Sequence, residues 1–175
     1  MTEVESAALA PDTGVQDWMG LAREASQAFF TGPPAEDRQE LLIVELESGE
    51  YAIPVERIRE IVRLGAITRV PRTPDWLVGV VALRGEIVQV VDLRSRLGLP
   101  KIEATRAHRI VVIHGDDEGV AGLLVDAVKG VLRVRERELQ PTQGQEFRAV
   151  SQLAPKGEGF VSVLDLDRVM ERSDG

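Results

Sequence analysis

Residues 80–97 read VVALRGEIVQVVDLRSRL, two apolar runs either side of an Arg84-Gly85-Glu86 corner. The runs Leu77–Leu83 and Ile87–Val91 predict two strands folded back on each other, with Gly85 supplying the positive φ that a tight hairpin needs. Asp92 stands where an N-cap belongs and opens a short helix through Leu97, which ends at Gly98 and Pro100. Both faces of Leu77–Leu83 carry apolar residues or glycine, so this strand is expected to be covered on both sides. Arg84 projects from a rigid corner between strands. It is either a solvated turn residue or a recognition point, and Glu60 is its candidate partner. An exposed pair of that kind contributes about 0–1 kcal/mol, so its use would be orientation and partner choice.

Working outward, Leu41–Leu46 and Tyr51–Ile53 predict a hairpin around Ser48-Gly49. Pro54, Val55, Ile58 and Ile61 suggest one helical turn running into an extended piece, and Ile67–Val70 reads as a further strand before Pro71 and Pro74. The second half repeats this grammar. Arg109–Ile113 and Val120–Leu124 flank the turn 115–119. VDAVKGVLRV at 125–134 echoes VERIREIVRL at 55–64, and FVSVLDLDRVM at 160–170 echoes IVQVVDLRSRL at 87–97. The echoes lie 70 and 73 residues apart, in order, which predicts two similar five-stranded β-barrels side by side. Units of that size are marginal alone, so a shared hydrophobic seam is expected between them.

Residues 1–39 differ from the rest. Residues 1–40 hold eight acids and two arginines, whereas 41–175 hold 21 acids against 19 bases. Within this acidic extension Trp18, Leu21, Ala22, Ala25 and Phe29 recur at helical spacing, which predicts an amphipathic helix over 17–30 before Thr31-Gly32-Pro33-Pro34. Apolar residues are 43% of the chain, enough for a core, but aromatics are only 4%, so Val, Leu and Ile must build it.

The absence of cysteine removes disulfides, thiol catalysis and Cys-ligated zinc. No basic segment precedes an apolar run at the N-terminus, so no signal peptide is expected. The longest apolar-plus-glycine run, Trp76–Leu83, is far short of the ~20 residues of a membrane helix. These features point to a cytoplasmic chain with no direct membrane insertion. Phosphate-loop, nucleophile-elbow, zinc-protease and dinucleotide signatures are missing. His108 and His114 stand six apart with no third donor indicated, so neither a metal nor a cofactor is expected. Net charge −8 with seven aromatics argues against nucleic-acid binding. Asp92 and Asp165 could form the carboxylate pair of a β-barrel enzyme, but their equivalent repeat positions read as paired N-caps.

The stretch ITRVPRTPDWLVGVVALRGEIVQVVDLRSRLG, 67–98, resembles the CheW family of bacterial chemotaxis coupling proteins. ESGEYAIPVERIREIV resembles that family's opening and VAGLLVDAVKGVLRV its second half, so the likeness covers roughly 40–172. The resemblance implies an all-β fold of two SH3-like five-stranded barrels over a common core, with short helices. It implies a non-catalytic adaptor that links a chemoreceptor's cytoplasmic tip to the regulatory domain of a CheA-type histidine kinase, recruited to membrane-associated arrays. By motif position Val55, Ile58, Glu60, Ile61 and Arg84 would line the receptor-binding groove, with Val125 facing it from the second half. Ala82 stands where the family has Asn, and Gln89 where it has Pro, which leaves receptor choice open. A divergent scaffold for another chemosensory pathway, with surface motility or development as its output, is the alternative.

Overall fold

Strand alternation sorts the apolar side chains into three clusters. The computed structural model describes residues 37–115, 119–143 and 149–171; the helix expected over 17–30 lies outside the described residues. Strand β1, Arg38–Leu46, sends Leu41 and Ile43 into one cluster and Leu42, Val44 and Leu46 into another. Strand β6, Arg109–His114, does the same, with Ile110 and Val112 on one side and Val111 and Ile113 on the other. A period of two in an apolar run thus fills both a barrel interior and the seam between barrels. The seam is the largest cluster and adds Ile53, Val91, Leu93, Leu123, Val125, Leu164, Leu166 and Val169.

The remaining elements are β2 Gly49–Pro54, a 3₁₀ turn Val55–Arg57, β3 Ile58–Arg63, β4 Leu77–Leu83, β5 Glu86–Asp92 and helix α1 Leu93–Arg96. After β6 come β7 Val120–Val125, β8 Ala127–Arg135, β9 Gln140–Pro141, β10 Val150–Lys156, β11 Gly159–Leu164 and helix α2 Leu166–Met170. They form two sheets, ordered β8-β1-β2-β11-β10-β9 and β3-β6-β7-β5-β4.

The repeat is visible in those orders. Each hairpin, β1–β2 or β6–β7, joins strands from the other half of the chain: β1 pairs β8, and β6 pairs β3. The parallel pairings β5–β7 and β11–β2 are equivalent in the same way. Each sheet therefore holds strands of both halves, and the chain crosses the seam repeatedly.

Three local expectations change. Leu46 pairs with Gly49, so the first turn is Glu47-Ser48, with Glu47 at φ 60, and Gly49 begins the next strand. Ile67–Val70 is not a strand. Only Thr68 pairs, in a single bridge to Val80, because Pro71 and Pro74 soon remove ladder donors. β4 lies at the edge of its sheet and is not covered on both sides: Val81 is buried, but Ala82 is exposed and Val78 and Val80 are half-buried.

Candidate partner-binding site

Leu83 pairs with Glu86, leaving Arg84 and Gly85 as a two-residue turn with φ 49 and 82. Two successive left-handed residues make the turn type that matches strand twist. Gly85 takes this conformation freely, whereas a side-chain-bearing residue in it costs about 1 kcal/mol. Arg84 holds it with its side chain 77% exposed, and its Nη2 lies 3.3 Å from Glu60 Oε2 on β3. The expected Arg84–Glu60 pair therefore forms. A second pair flanks it, Arg59 Nη1 donating to Glu86 Oε2 at 2.5 Å. The β3–β6 register shifts between Ile58 and Glu60, an irregularity of the kind that re-aims side chains on a strand. Ile61 on β3 and Ile87 on β5 are among the most exposed large apolar residues of the described chain. The corner thus combines alternating charge with two solvent-facing isoleucines.

Val55, in the 3₁₀ turn, and Ile58, at the start of β3, are half-buried and pack partly against the seam. Val125 is the exception. It ends β7 fully buried in the seam at 0% exposure, so it offers no surface to a partner. The motif position is equivalent to Val55, but the chain there turns inward to carry Asp126.

The equivalent corner of the other sheet is different in chemistry. Lys156 pairs with Gly159, and Gly157, in the place of Arg84, has φ 59. Gly130 stands where Glu60 does, while Val131 and Phe160, in the places of Ile61 and Ile87, are again exposed. The apolar pair recurs, but the ion pairs do not.

Sequence reasoning missed a buried ionic network behind α1. Arg94 Nε donates to Asp126 Oδ1 at 2.9 Å and its Nη2 donates to Asp126 Oδ2, with side chains only 8% and 16% exposed. Asp126 Oδ2 also accepts the Glu47 N–H at 2.7 Å, and Arg94 Nη1 donates to the Pro100 carbonyl. Burial alone pushes the Asp126 carboxyl up, but the Arg94 hydrogen bond, the Glu47 N–H and the Arg94 charge outweigh it and hold it below its usual value. The Asp126 hydrogen bond, stronger than the opposing burial, raises Arg94. His108 Nδ1 accepts the Thr105 N–H at 2.8 Å, and its buried Nε2 faces Asp126 Oδ1 at 3.6 Å. The signal for this network was a charge reversal: the residue equivalent to Arg94 in the second repeat is Asp167.

Asp92 and Asp165 are both helix caps. Asp92 Oδ1 accepts the Arg94 N–H and Oδ2 the Ser95 hydroxyl, and Asp165 Oδ1 accepts the Arg168 N–H. Each carboxylate is thus committed to its own helix. Among the described residues no helix is long and apolar enough to cross a membrane.

The family model for CheW-like domains matches residues 40–174. The chemotaxis protein CheW of Bacillus subtilis is 30% identical over 138 residues, covering 77% of this chain and 88% of that protein. Protein FrzA of Myxococcus xanthus is 32% identical over 108 residues, covering 61% of this chain and 66% of FrzA. The crystal structure of the scaffolding protein TtCheW from Thermoanaerobacter tengcongensis superposes with a TM-score of 0.71 at 26% identity, covering 77% of this chain and 94% of that one. The fold is accordingly that of two SH3-like barrels on a shared core, one of them with the two-residue β9 added to its sheet.

Proposed function

This chain belongs to the CheW-like family, and from that premise we propose that it couples chemoreceptors to a CheA-type histidine kinase. It acts without catalysis, on the cytoplasmic side of the membrane, in receptor arrays. The chemotaxis adaptor role rests on the family. The finer reading is that the receptor tip docks on Val55, Ile58, Glu60, Ile61 and Arg84, while another barrel surface meets the kinase's regulatory domain.

One observation carries the choice of that corner. Arg84 holds a left-handed backbone that its counterpart Gly157 adopts without penalty, and its guanidinium is mostly in solvent. An exposed ion pair returns little stability for that strain. This supports a role for the arginine in what its side chain reaches outside the fold.

The test is capture of receptor and kinase from lysate of the source organism by wild type and by Arg84→Glu. The wild type recovers both, and the variant loses the receptor while keeping the kinase. Equal recovery of the receptor by both proteins would remove Arg84 from the site. Recovery of neither by a folded wild type, with both partners expressed, would overturn the adaptor reading.

The likeness to protein FrzA of Myxococcus xanthus favours a second reading in which the same adaptor chemistry serves another chemosensory pathway. The identity of the captured kinase separates the two.

A further inference from the structure

The two sides of the seam are closed by clamps of opposite polarity. On one side the acid, Asp126, sits on the corner after β7 and the arginine, Arg94, on helix α1. On the other side the arginine, Arg57, sits on the corner after β2 and the acid, Asp167, on helix α2, with Arg57 Nη2 2.9 Å from Asp167 Oδ1. Each clamp also reaches the neighbouring hairpin turn. Asp126 accepts the Glu47 N–H at the β1–β2 turn, and Arg57 donates to the His114 carbonyl, at 3.2 Å from Nη2, where β6 ends.

The two clamps differ in burial. Arg94 and Asp126 are 8% and 16% exposed and share a fork of two hydrogen bonds, whereas Arg57 and Asp167 are 28% and 53% exposed and share one. Salt screens exposed pairs and spares buried ones. Helix α2 has only five residues, too short to hold itself, so tertiary contacts decide its persistence. Besides Arg57, its contacts include Leu166 and Val169 in the seam and Arg96, whose guanidinium donates to the carbonyls of Val169 and Glu171.

We infer that the seam has a fixed side at Arg94–Asp126 and a salt-sensitive side at Arg57–Asp167, so that local opening begins at helix α2. The barrels stay joined through the buried clamp while α2 loosens. This conformational asymmetry stands whichever partners the chain takes.

Amide hydrogen exchange on the full chain tests it, at low and high ionic strength, in wild type, Arg57→Gln, Asp167→Asn and the double variant. The Val169 and Glu171 amides report α2, donating to Asp165 and Asp167 carbonyls. The Asp126 and Glu47 amides report the buried clamp. Exchange at α2 should rise about two- to fivefold with salt or with either substitution, and the clamp amides should not move. The double variant should fall well short of the sum of the single ones, and salt should add less to it than to wild type. The Arg168–Asp165 pair within α2 is not altered by either substitution, and the non-additive part of the cycle reports the Arg57–Asp167 coupling. An equal response at all four amides would overturn the inference, as would an α2 indifferent to both substitutions. Additive effects of the two substitutions would equally sink it.

Discussion

Arg84 Nη2 stands 3.3 Å from Glu60 Oε2, and the arginine that makes this contact is one of three non-glycine described residues with a left-handed backbone. The pair joins the β4–β5 turn to β3 at the opposite edge of the same sheet. Arg84→Glu would place two carboxylates together, but the substituted side chain, at a mostly exposed position, can swing into water. The expected loss of stability is below about 1 kcal/mol. Arg84→Gly relieves the backbone and loses the ion pair, so its stability should lie within about 1 kcal/mol of wild type on either side. Urea denaturation of the three proteins checks both. A loss above about 2 kcal/mol in Arg84→Glu would make this arginine a structural residue and withdraw it from the proposed binding corner.

The buried clamp should behave in the opposite way. Removing one partner leaves the other charge in the seam, where breaking a pair costs about 3–5 kcal/mol. Arg94→Met and Asp126→Leu are therefore each expected to destabilise by about that amount. The double variant should recover part of the loss, since an apolar pair needs no compensation. Denaturation midpoints with unchanged slopes would show a stability effect on an intact fold. Losses below about 1 kcal/mol would mean that water reaches the pair.

Much of the fold was legible because local chemistry and tertiary role agree. Asp92 and Asp165 cap helices, Gly85 makes a turn, and the echoes between 55–64 and 125–134 occupy equivalent strands. The interleaving was not legible. Which strands β1 and β6 take as outer neighbours depends on pairings about eighty to a hundred residues apart for β1 and about fifty for β6, and a repeat of two similar hairpins is compatible with exchanged or unexchanged sheets. At the site, Glu60 with Arg84 was readable from their placement beside a corner. The Arg59–Glu86 pair is not part of the sequence reading, although Arg59 adjoins Glu60 and Glu86 lies two residues after Arg84. Val125 was misread because homology of position does not carry over burial: its strand ends inside the seam, where Asp126 must meet Arg94.

Asp126 also sets a pH dependence. Its folded-state carboxyl is held below the ordinary value of 3.8 by the Arg94 hydrogen bond, the Glu47 N–H and the Arg94 charge, against the upward push of burial. A depressed folded pKa contributes stability that is fully present above the unfolded value. The loss begins as pH falls below that value and is complete only below the folded one. The stability gap between wild type and Asp126→Asn should therefore be flat from pH 7 to about 5 and narrow below about 4. Thermal unfolding across that range measures it. A gap that narrows already between pH 7 and 6 would assign the effect to a different group.

Two glycines at left-handed φ should respond very differently to alanine. Gly79 lies in β4 beside the one bridge between Thr68 and Val80, and a Cβ there would sit 2.3 Å from the Thr68 carbonyl oxygen and 2.7 Å from Ile67 Cγ2. Backbone cannot yield as a flexible side chain can, so the 67–70 segment would have to leave the sheet. Gly157, in the β10–β11 turn, has φ 59 and open space around a Cβ. Gly157→Ala should cost about 1 kcal/mol, the ordinary penalty of a left-handed alanine. Gly79→Ala should cost more than about 2 kcal/mol and raise hydrogen exchange at Thr68 and Val80, whose amides donate to each other's carbonyls at 2.9 and 2.8 Å. Equal costs at the two positions would mean that the bridge gives way freely, and that the 67–70 segment adds little to the edge of the sheet.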